Sequence, residues 1–189
     1  QCTGLFTSPH LMSVNERIRI DGSPISDVLF ESCLKQIQQV CNVEPVVSPT
    51  FYEATFIVAM LAFRDQGVER AVIETGLGGR WDATRLVDAD WCILTEISLE
   101  HTEVLGDTLA EIAEEKAAIV RQGRPLLATW PYDNSARKAI ERTVDKPYTS
   151  ITLAYSGLPT PKTWICESTK QANQIVEKEW IKNNKIIQK

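Results

Sequence analysis

Four polar residues have the type and spacing to carry out chemistry: Ser8, Glu74, His101 and Lys116. The first three each follow an apolar run that is typical of a buried strand, and Lys116 lies on the helix predicted after His101. Because the carboxyl ends of parallel strands meet at one edge of a sheet, we expect these side chains to come together there. A hydroxyl, a carboxylate and an imidazole could bind a divalent cation; Mg2+ favours the oxygen ligands and Mn2+ also accepts the imidazole.

Each of these residues also has an ordinary explanation when it is considered alone. Ser8 precedes a proline and could be a turn residue. Glu74 could be a solvated charge at the end of a strand, and His101 could be a histidine of the surface or the rim of the core. Lys116 follows two glutamates, so it could belong to a solvated helix face with local ion pairs. The residue types alone therefore leave the existence of a site open.

Three glycines, Gly76, Gly78 and Gly79, follow Glu74 closely. Their G-x-G-G pattern matches neither the dinucleotide-binding fingerprint nor the phosphate-binding loop of nucleotide hydrolases. The run is equally consistent with a tight turn and with a close approach of the backbone to a ligand.

The elements that must position these residues alternate between strands and helices. A strand that runs into a loop is predicted over 4–9, and further strands over 70–74, 91–95 and 125–128. Helices are predicted over 51–66, 109–121, 134–143 and 168–183, with a further helix beginning after Ser26 and a turn over 21–24. Short connections between alternating elements predict an α/β fold with a mostly parallel sheet and helices on both faces.

The composition excludes several other classes of protein. The chain has 189 residues and a net charge of -5, which argues against a broad nucleic-acid interface. The apolar run 56–63 is about half as long as a membrane span requires. Five scattered cysteines without a C-x-x-C pair, and no signal peptide after Gln1, predict reduced thiols in the cytoplasm.

Five segments together resemble the folylpolyglutamate synthase/dihydrofolate synthase family of the Mur ligase superfamily, in the order in which the family has them. They are GLFTSPHLMSVNERIRI from Gly4, TFYEAT from Thr50, ETGLGGRWDAT from Glu74, HTEVLGDT from His101 and IAEEKA from Ile112. The resemblance covers roughly residues 4–145. It implies that residues 1–146 are a fragment of the Mur-ligase-like central ATPase domain, and that residues 147–189 form a divergent tail, which could begin another domain.

The resemblance implies an ATP-dependent amide ligase of folate biosynthesis, which joins L-glutamate to dihydropteroate or tetrahydrofolate through an acyl phosphate. It also implies roles for particular residues. Ser8, Glu74 and His101 would serve metal sites for Mg2+ or Mn2+, Lys116 would be carbamylated and join them, and Tyr52, Asp82 and Ala83 would face the pterin. The substrates would be ATP, glutamate and a pteroate or folate, and we expect a monomer without nucleic-acid or membrane partners.

The sequence departs from the family pattern in several places. Glu100 replaces the usual aspartate before His101, and Arg85 stands where the family has asparagine. The family's phosphate loop and C-terminal domain have no counterpart in the sequence, so we expect the chain alone to bind ATP weakly. Two alternatives stay open: a non-catalytic pterin-binding or interaction fragment, and part of a fusion with an ATP-grasp ligase, which the segment 157–172 faintly resembles.

Overall fold

A computed structural model describes residues 1–121, 123–129, 131, 133–144 and 165–166. The chain forms two compact units, one of residues 1–76 and one that begins at Leu77. The predicted helix over 168–183 lies outside the described residues, and the predicted boundary after residue 146 stays a prediction. No helix in the described part of the chain is long and apolar enough to cross a membrane.

The first unit contains a four-stranded sheet in the order β3-β2-β1-β4. Its strands are β1 (Thr3–Phe6), β2 (Ile18–Ile20), β3 (Ser23–Pro24) and β4 (Arg70–Ile73). β1 is parallel to β4, with Phe6 opposite Ile73, and antiparallel to β2. The sheet is therefore mixed, with the parallel pair that the strand predictions required.

The predicted turn over 21–24 occupies only its first two residues. Asp21 and Gly22 both have positive φ, 48° and 82°, as a tight hairpin of the primed type requires. Ser23 and Pro24 instead pair with β2 as a short edge strand. Proline is tolerated there because its missing N–H would face away from the sheet.

Two helices of the first unit begin and end close to their predicted limits. They are α1 (Asp27–Cys41), capped by Ser26, and α2 (Phe51–Asp65), capped by Thr50 in a capping box with Glu53. α2 buries Phe56, Val58, Ala59, Ala62 and Phe63, and the Phe56 ring meets Phe6 of β1 edge-on at 5.8 Å. This packing fixes α2 against the strand that leads to Ser8.

In its described residues, the second unit contains a parallel three-stranded sheet in the order β5-β6-β7 and three α-helices. The elements are β5 (Cys92–Leu94), α3 (Thr102–Leu105), α4 (Leu109–Ala117), β6 (Leu126–Thr129), α5 (Asn134–Val144) and β7 (Ile165–Cys166). Its core consists of Leu94, Ala113, Ala117, Leu126, Ala128, Ala136, Ala139 and Ile140. Small alanines on α4 and α5 allow these helices to approach each other closely.

The α/β fold class is confirmed, and the structure differs from the prediction in several details. The strands form two sheets, one in each unit, rather than one sheet. α4 ends at Ala117, four residues before the predicted end at residue 121, and α3 was not predicted. A helix of four residues is too short to show the 3.6-residue periodicity on which such predictions rest.

Candidate functional site

Ser8 and Glu74 come together at the carboxyl ends of two neighbouring parallel strands. β1 ends at Phe6 and β4 at Ile73, and the Glu74 N–H donates to the Phe6 carbonyl at 2.9 Å. The backbone N–H of Ser8 then donates to Oε2 of the Glu74 carboxylate at 3.0 Å. Both residues are half-buried, so the carboxylate is held in place at the edge of the sheet.

The Ser8–Glu74 pair has the chemistry of a site for a hard cation. Within the described part of the chain, Glu74 pairs with no lysine, arginine or histidine, and the Ser8 hydroxyl makes no hydrogen bond. Oε1 of Glu74 and Oγ of Ser8 can therefore act as ligands. Two oxygen atoms beside an uncompensated carboxylate charge suit Mg2+ or Mn2+, which the family resemblance implies.

Tyr52 lies next to this pair, on the first turn of α2. Its hydroxyl donates to the Glu74 carbonyl oxygen at 3.4 Å, and its ring centroid is 5.9 Å from that of Phe6. A Cβ added at Gly76 would lie 2.6 Å from Cζ of Tyr52, so the glycine allows the chain to pass close to the ring. Tyr52 is half-buried, which fits both packing and contact with a ligand.

In the second unit, Lys116 on α4 forms an ion pair with Glu100. The Glu100 side chain is 44% exposed and the Lys116 side chain is 19% exposed. The hydrogen bond from the Lys116 ammonium, with its charge, holds the pKa of Glu100 below its ordinary value. The pairing was not predicted, because sixteen residues separate the two positions and no periodic pattern links them.

His101 follows Glu100 directly and precedes the first residue of α3. Its backbone is left-handed, with φ 50° and ψ 39°, and its side chain does not cap the helix. The residue is exposed. A non-glycine residue in this conformation is uncommon, and it sets the direction in which the chain enters α3.

The glycine run holds the turn of α4 that carries Lys116. A Cβ at Gly79 would lie 2.6 Å from the Lys116 carbonyl oxygen and 2.8 Å from that of Glu115, so only glycine fits there without a shift. Arg80 binds Glu115 through Nε at 2.6 Å and Glu114 through Nη2 at 3.1 Å. The loop that the sequence left open between a turn and a ligand contact therefore packs against a helix.

Asp82 closes the same loop. Its Oδ1 accepts hydrogen bonds from the backbone and hydroxyl of Thr84 at 2.8 and 2.6 Å, and its Oδ2 accepts from the Leu77 N–H at 3.1 Å. Ala83 begins the short 310 turn that follows and is half-buried. These contacts give Asp82 a structural role, and its predicted contact with a pterin stays a prediction.

The candidate residues are divided between the two units: Ser8, Tyr52 and Glu74 belong to the first, and Asp82, Ala83, His101 and Lys116 to the second. Within the described residues, no group of three or more His, Cys, Asp and Glu side chains is placed to hold a metal ion. The predicted metal set contains only two residues of those types, and its remaining members are a serine and a lysine.

Known proteins are similar to most of this chain. The chain is 39% identical to the folylpolyglutamate synthase of Arabidopsis thaliana over 144 residues, which are 74% of this chain and 25% of that protein. It is also similar to a structure of Escherichia coli FolC in complex with DHPP and ADP, at 31% identity and a TM-score of 0.68. That match covers 74% of this chain and 33% of the FolC chain.

A second similar structure is a bifunctional folylpolyglutamate synthase/dihydrofolate synthase with Mn, AMPPNP and L-glutamate bound. It is 31% identical, has a TM-score of 0.68, and the match covers 76% of this chain and 34% of the other. Over about three quarters of its length, the chain is similar to members of the folylpolyglutamate synthase/dihydrofolate synthase family. It spans about a quarter to a third of the length of these family members. No protein-family model matches the sequence.

Proposed function

We propose that the chain is part of an ATP-dependent ligase that forms an amide bond between L-glutamate and the carboxylate of dihydropteroate or tetrahydrofolate. The observation that carries the proposal is the Ser8–Glu74 pair at parallel strand ends, within a segment that is 39% identical to a folylpolyglutamate synthase. Similar structures bind ADP and DHPP in one case, and Mn, AMPPNP and L-glutamate in the other.

The reaction balances as two displacements. A carboxylate oxygen of the pteroyl substrate attacks the γ-phosphorus of ATP, so that ADP leaves and an acyl phosphate forms. The amine of glutamate then attacks the acyl carbon, phosphate leaves with the bonding electrons, and the amine loses a proton. The enzyme must therefore place the substrate carboxylate beside the γ-phosphate of ATP and neutralise the charge of these two anions.

Ser8, Glu74 and His101 are the residues that we propose as metal ligands. Glu74 would contribute Oε1, because Oε2 already accepts the Ser8 N–H. That hydrogen bond fixes the orientation of the carboxylate. Mg2+ or Mn2+, when bound, would neutralise charge that develops on the transferred phosphoryl group.

Lys116 is proposed to become a carbamate, in which its nitrogen bonds to CO2 and loses a proton. The product is an anionic oxygen ligand in place of a cation. The Lys116 nitrogen is held in an ion pair with Glu100, so the pair must open before CO2 can react. The proposal also keeps Tyr52, Asp82 and Ala83 as pterin contacts, a monomer and a cytoplasmic location.

The experiment that tests the function uses the full-length protein that contains this chain, with dihydropteroate, glutamate, ATP and Mg2+. Glu74→Gln should lower the rate of ligation about a hundredfold or more, because the amide removes the charge and leaves the shape. Glu69→Gln, an exposed carboxylate beside β4, is the matched control and should have no effect.

The outcomes separate the candidate functions. Wild-type activity in Glu74→Gln contradicts the metal assignment, while the ligase itself stands. Binding of dihydropteroate by the wild type in calorimetry, without ATP-dependent ligation, contradicts the ligase and indicates a non-catalytic pterin-binding protein.

A further inference from the structure

Among the described residues, Arg17 is a buried guanidinium group without a carboxylate partner. It ends the 310 turn Val14–Arg17, directly before β2, and only 8% of its surface is exposed. Its one side-chain hydrogen bond in the described part of the chain runs from Nε to Nδ1 of His10, at 2.8 Å. Buried charges are normally paired, because removal of the charge from water is costly.

The terminal nitrogen atoms of Arg17 remain free to donate. No hydrogen bond or ion pair within the described residues uses Nη1 or Nη2. No fully buried side-chain nitrogen or oxygen there lacks a partner, so these two atoms keep contact with solvent. The guanidinium is therefore enclosed along its length and accessible at its tip.

His10 faces Arg17 through one of its two ring nitrogens. Its Nδ1 accepts the Arg17 Nε–H, so the other ring nitrogen, Nε2, is the one that can donate. The histidine thus adds another N–H donor beside the guanidinium. Both groups can donate a hydrogen bond to an anionic oxygen. While the bond between them holds, neither has a free acceptor atom for a cationic donor.

The surface beside these donors is apolar. Arg17 Cζ lies 5.2 Å from the centroid of the Phe51 ring, which remains 61% exposed, and the His10 ring centroid lies 6.5 Å from that of Phe51. The side chains of Leu11 and Met12, next to His10 in the chain, are about nine-tenths exposed. An aromatic ring and two apolar side chains without cover are typical of a surface that contacts a ligand.

The loop that carries these side chains is held by Glu16. Its carboxylate accepts backbone hydrogen bonds from Leu11, Met12 and Ser13 at 2.9 to 3.1 Å, which lower the pKa of Glu16. The exposed apolar residues therefore lie on a loop that internal bonds fix in place. Preorganisation of this kind reduces the entropy cost of binding.

We propose that Arg17 and His10 bind a carboxylate carried by an aromatic ring, and that Phe51 contacts that ring. The planar guanidinium matches a carboxylate with two parallel hydrogen bonds. The apolar surroundings favour an anion with an apolar body over free glutamate or phosphate. The ligand class rests on the proposed function, because dihydropteroate carries a benzoate carboxylate.

Calorimetry on the full-length protein tests this inference with dihydropteroate and with its uncharged primary carboxamide. The wild type should bind the carboxylate about tenfold or more tightly than the amide, since the charge-assisted hydrogen bonds are lost with the amide. A second pair of probes, 4-aminobenzoate and 4-aminobenzamide, repeats the comparison without the pterin. L-Glutamate and inorganic phosphate should compete poorly.

Three arginine variants, one of them a control, test the role of Arg17. Arg17→Met keeps the apolar stem and should reduce the preference for carboxylate to less than about threefold, and Arg17→Lys should fall between. Arg19→Met is the matched control, because the Arg19 side chain donates only to backbone carbonyls of Glu16 and Gly22. It should retain the wild-type preference.

A wild type that binds the carboxylate and the amide equally overturns the inference, and this result requires no variant to fold. Retention of the full preference in Arg17→Met overturns it as well. Ligation is measured separately. A protein that ligates but does not prefer the carboxylate to the amide contradicts only this inference. A protein that shows the preference but does not ligate loses only the proposed function.

Discussion

Glu74 in the first unit and Lys116 in the second are both half-buried charged residues, but they are held in opposite ways. Glu74 receives a neutral backbone N–H from Ser8, so its charge is oriented and left uncompensated. Lys116 is neutralised by the carboxylate of Glu100. The first arrangement is ready to accept a cation, whereas the second must exchange a partner before it can do new chemistry.

The origin of each arrangement also differs. Glu74 is oriented by the register of β1 and β4, a property of the sheet. Lys116 is positioned by side chains and by close packing, since Gly79 and Arg80 fix the turn of α4 on which it lies. We therefore expect the first pair to tolerate changes in the surrounding side chains, and the second to depend on them.

The largest effect on this comparison is expected when Lys116 is replaced. In the full-length protein, Lys116→Ala should lower ligation about a hundredfold or more, because the proposed anionic ligand is lost. Acetate or another short carboxylate should restore part of the rate by replacing the carbamate oxygen atoms. Steady-state rates with and without acetate measure both effects.

Lys138→Ala, on the exposed face of α5, is the control and should leave the rate unchanged. Unaltered activity of Lys116→Ala without additives would remove the carbamate from the mechanism and leave the Ser8–Glu74 pair as the functional part of the comparison.

A second prediction compares a glycine from each unit. Gly79→Ala should destabilise the protein by about 2–3 kcal/mol, because its Cβ would meet two helix carbonyl oxygens that cannot move. Gly76→Ala should cost about 1 kcal/mol, because its Cβ would meet the far end of the Tyr52 ring, which can rotate away. Urea denaturation of both variants measures the difference; equal losses would contradict the distinction between rigid and adaptable packing.

The Ser8–Glu74 pair could be predicted from sequence because it depends on regular structure. Apolar runs identify β1 and β4, and the strand ends then place a hydroxyl and a carboxylate side by side. The caps Ser26, Thr50 and Thr108 were equally accessible, since a hydroxyl before a periodic apolar segment marks the start of a helix.

The remaining contacts could not be predicted in the same way. The Glu100–Lys116 and His10–Arg17 pairs join positions that no helical or strand period connects. β2 is three residues long, too short to display an alternating pattern, so the antiparallel hairpin was missed. The clamp of Arg80 on Glu114 and Glu115 follows from how the glycine loop approaches α4, which residue types alone do not determine.

The smallest predicted effect is the contribution of Glu100 to stability and its dependence on pH. Lys116 lowers the pKa of Glu100, so the folded state binds the proton of this carboxyl less readily than the unfolded state does. The stabilisation is therefore complete above the unfolded pKa, near 4.5, and is lost as the pH falls through the folded value. Because the Glu100 side chain is 44% exposed, solvent screening limits the gain to well under about 1 kcal/mol.

Glu100→Gln should accordingly be slightly less stable than the wild type at pH 7. The difference should shrink on acidification below the unfolded pKa, near 4.5, as the pH falls through the lower folded pKa. Urea denaturation from pH 7 to pH 3 measures it, and 1 M salt should reduce it because exposed ion pairs are screened. A difference that grows on acidification would contradict the ion pair. The same variant should also reach the proposed carbamylated form at a lower concentration of bicarbonate, because loss of the ion pair releases Lys116. This small change in stability would then be accompanied by a measurable change in function.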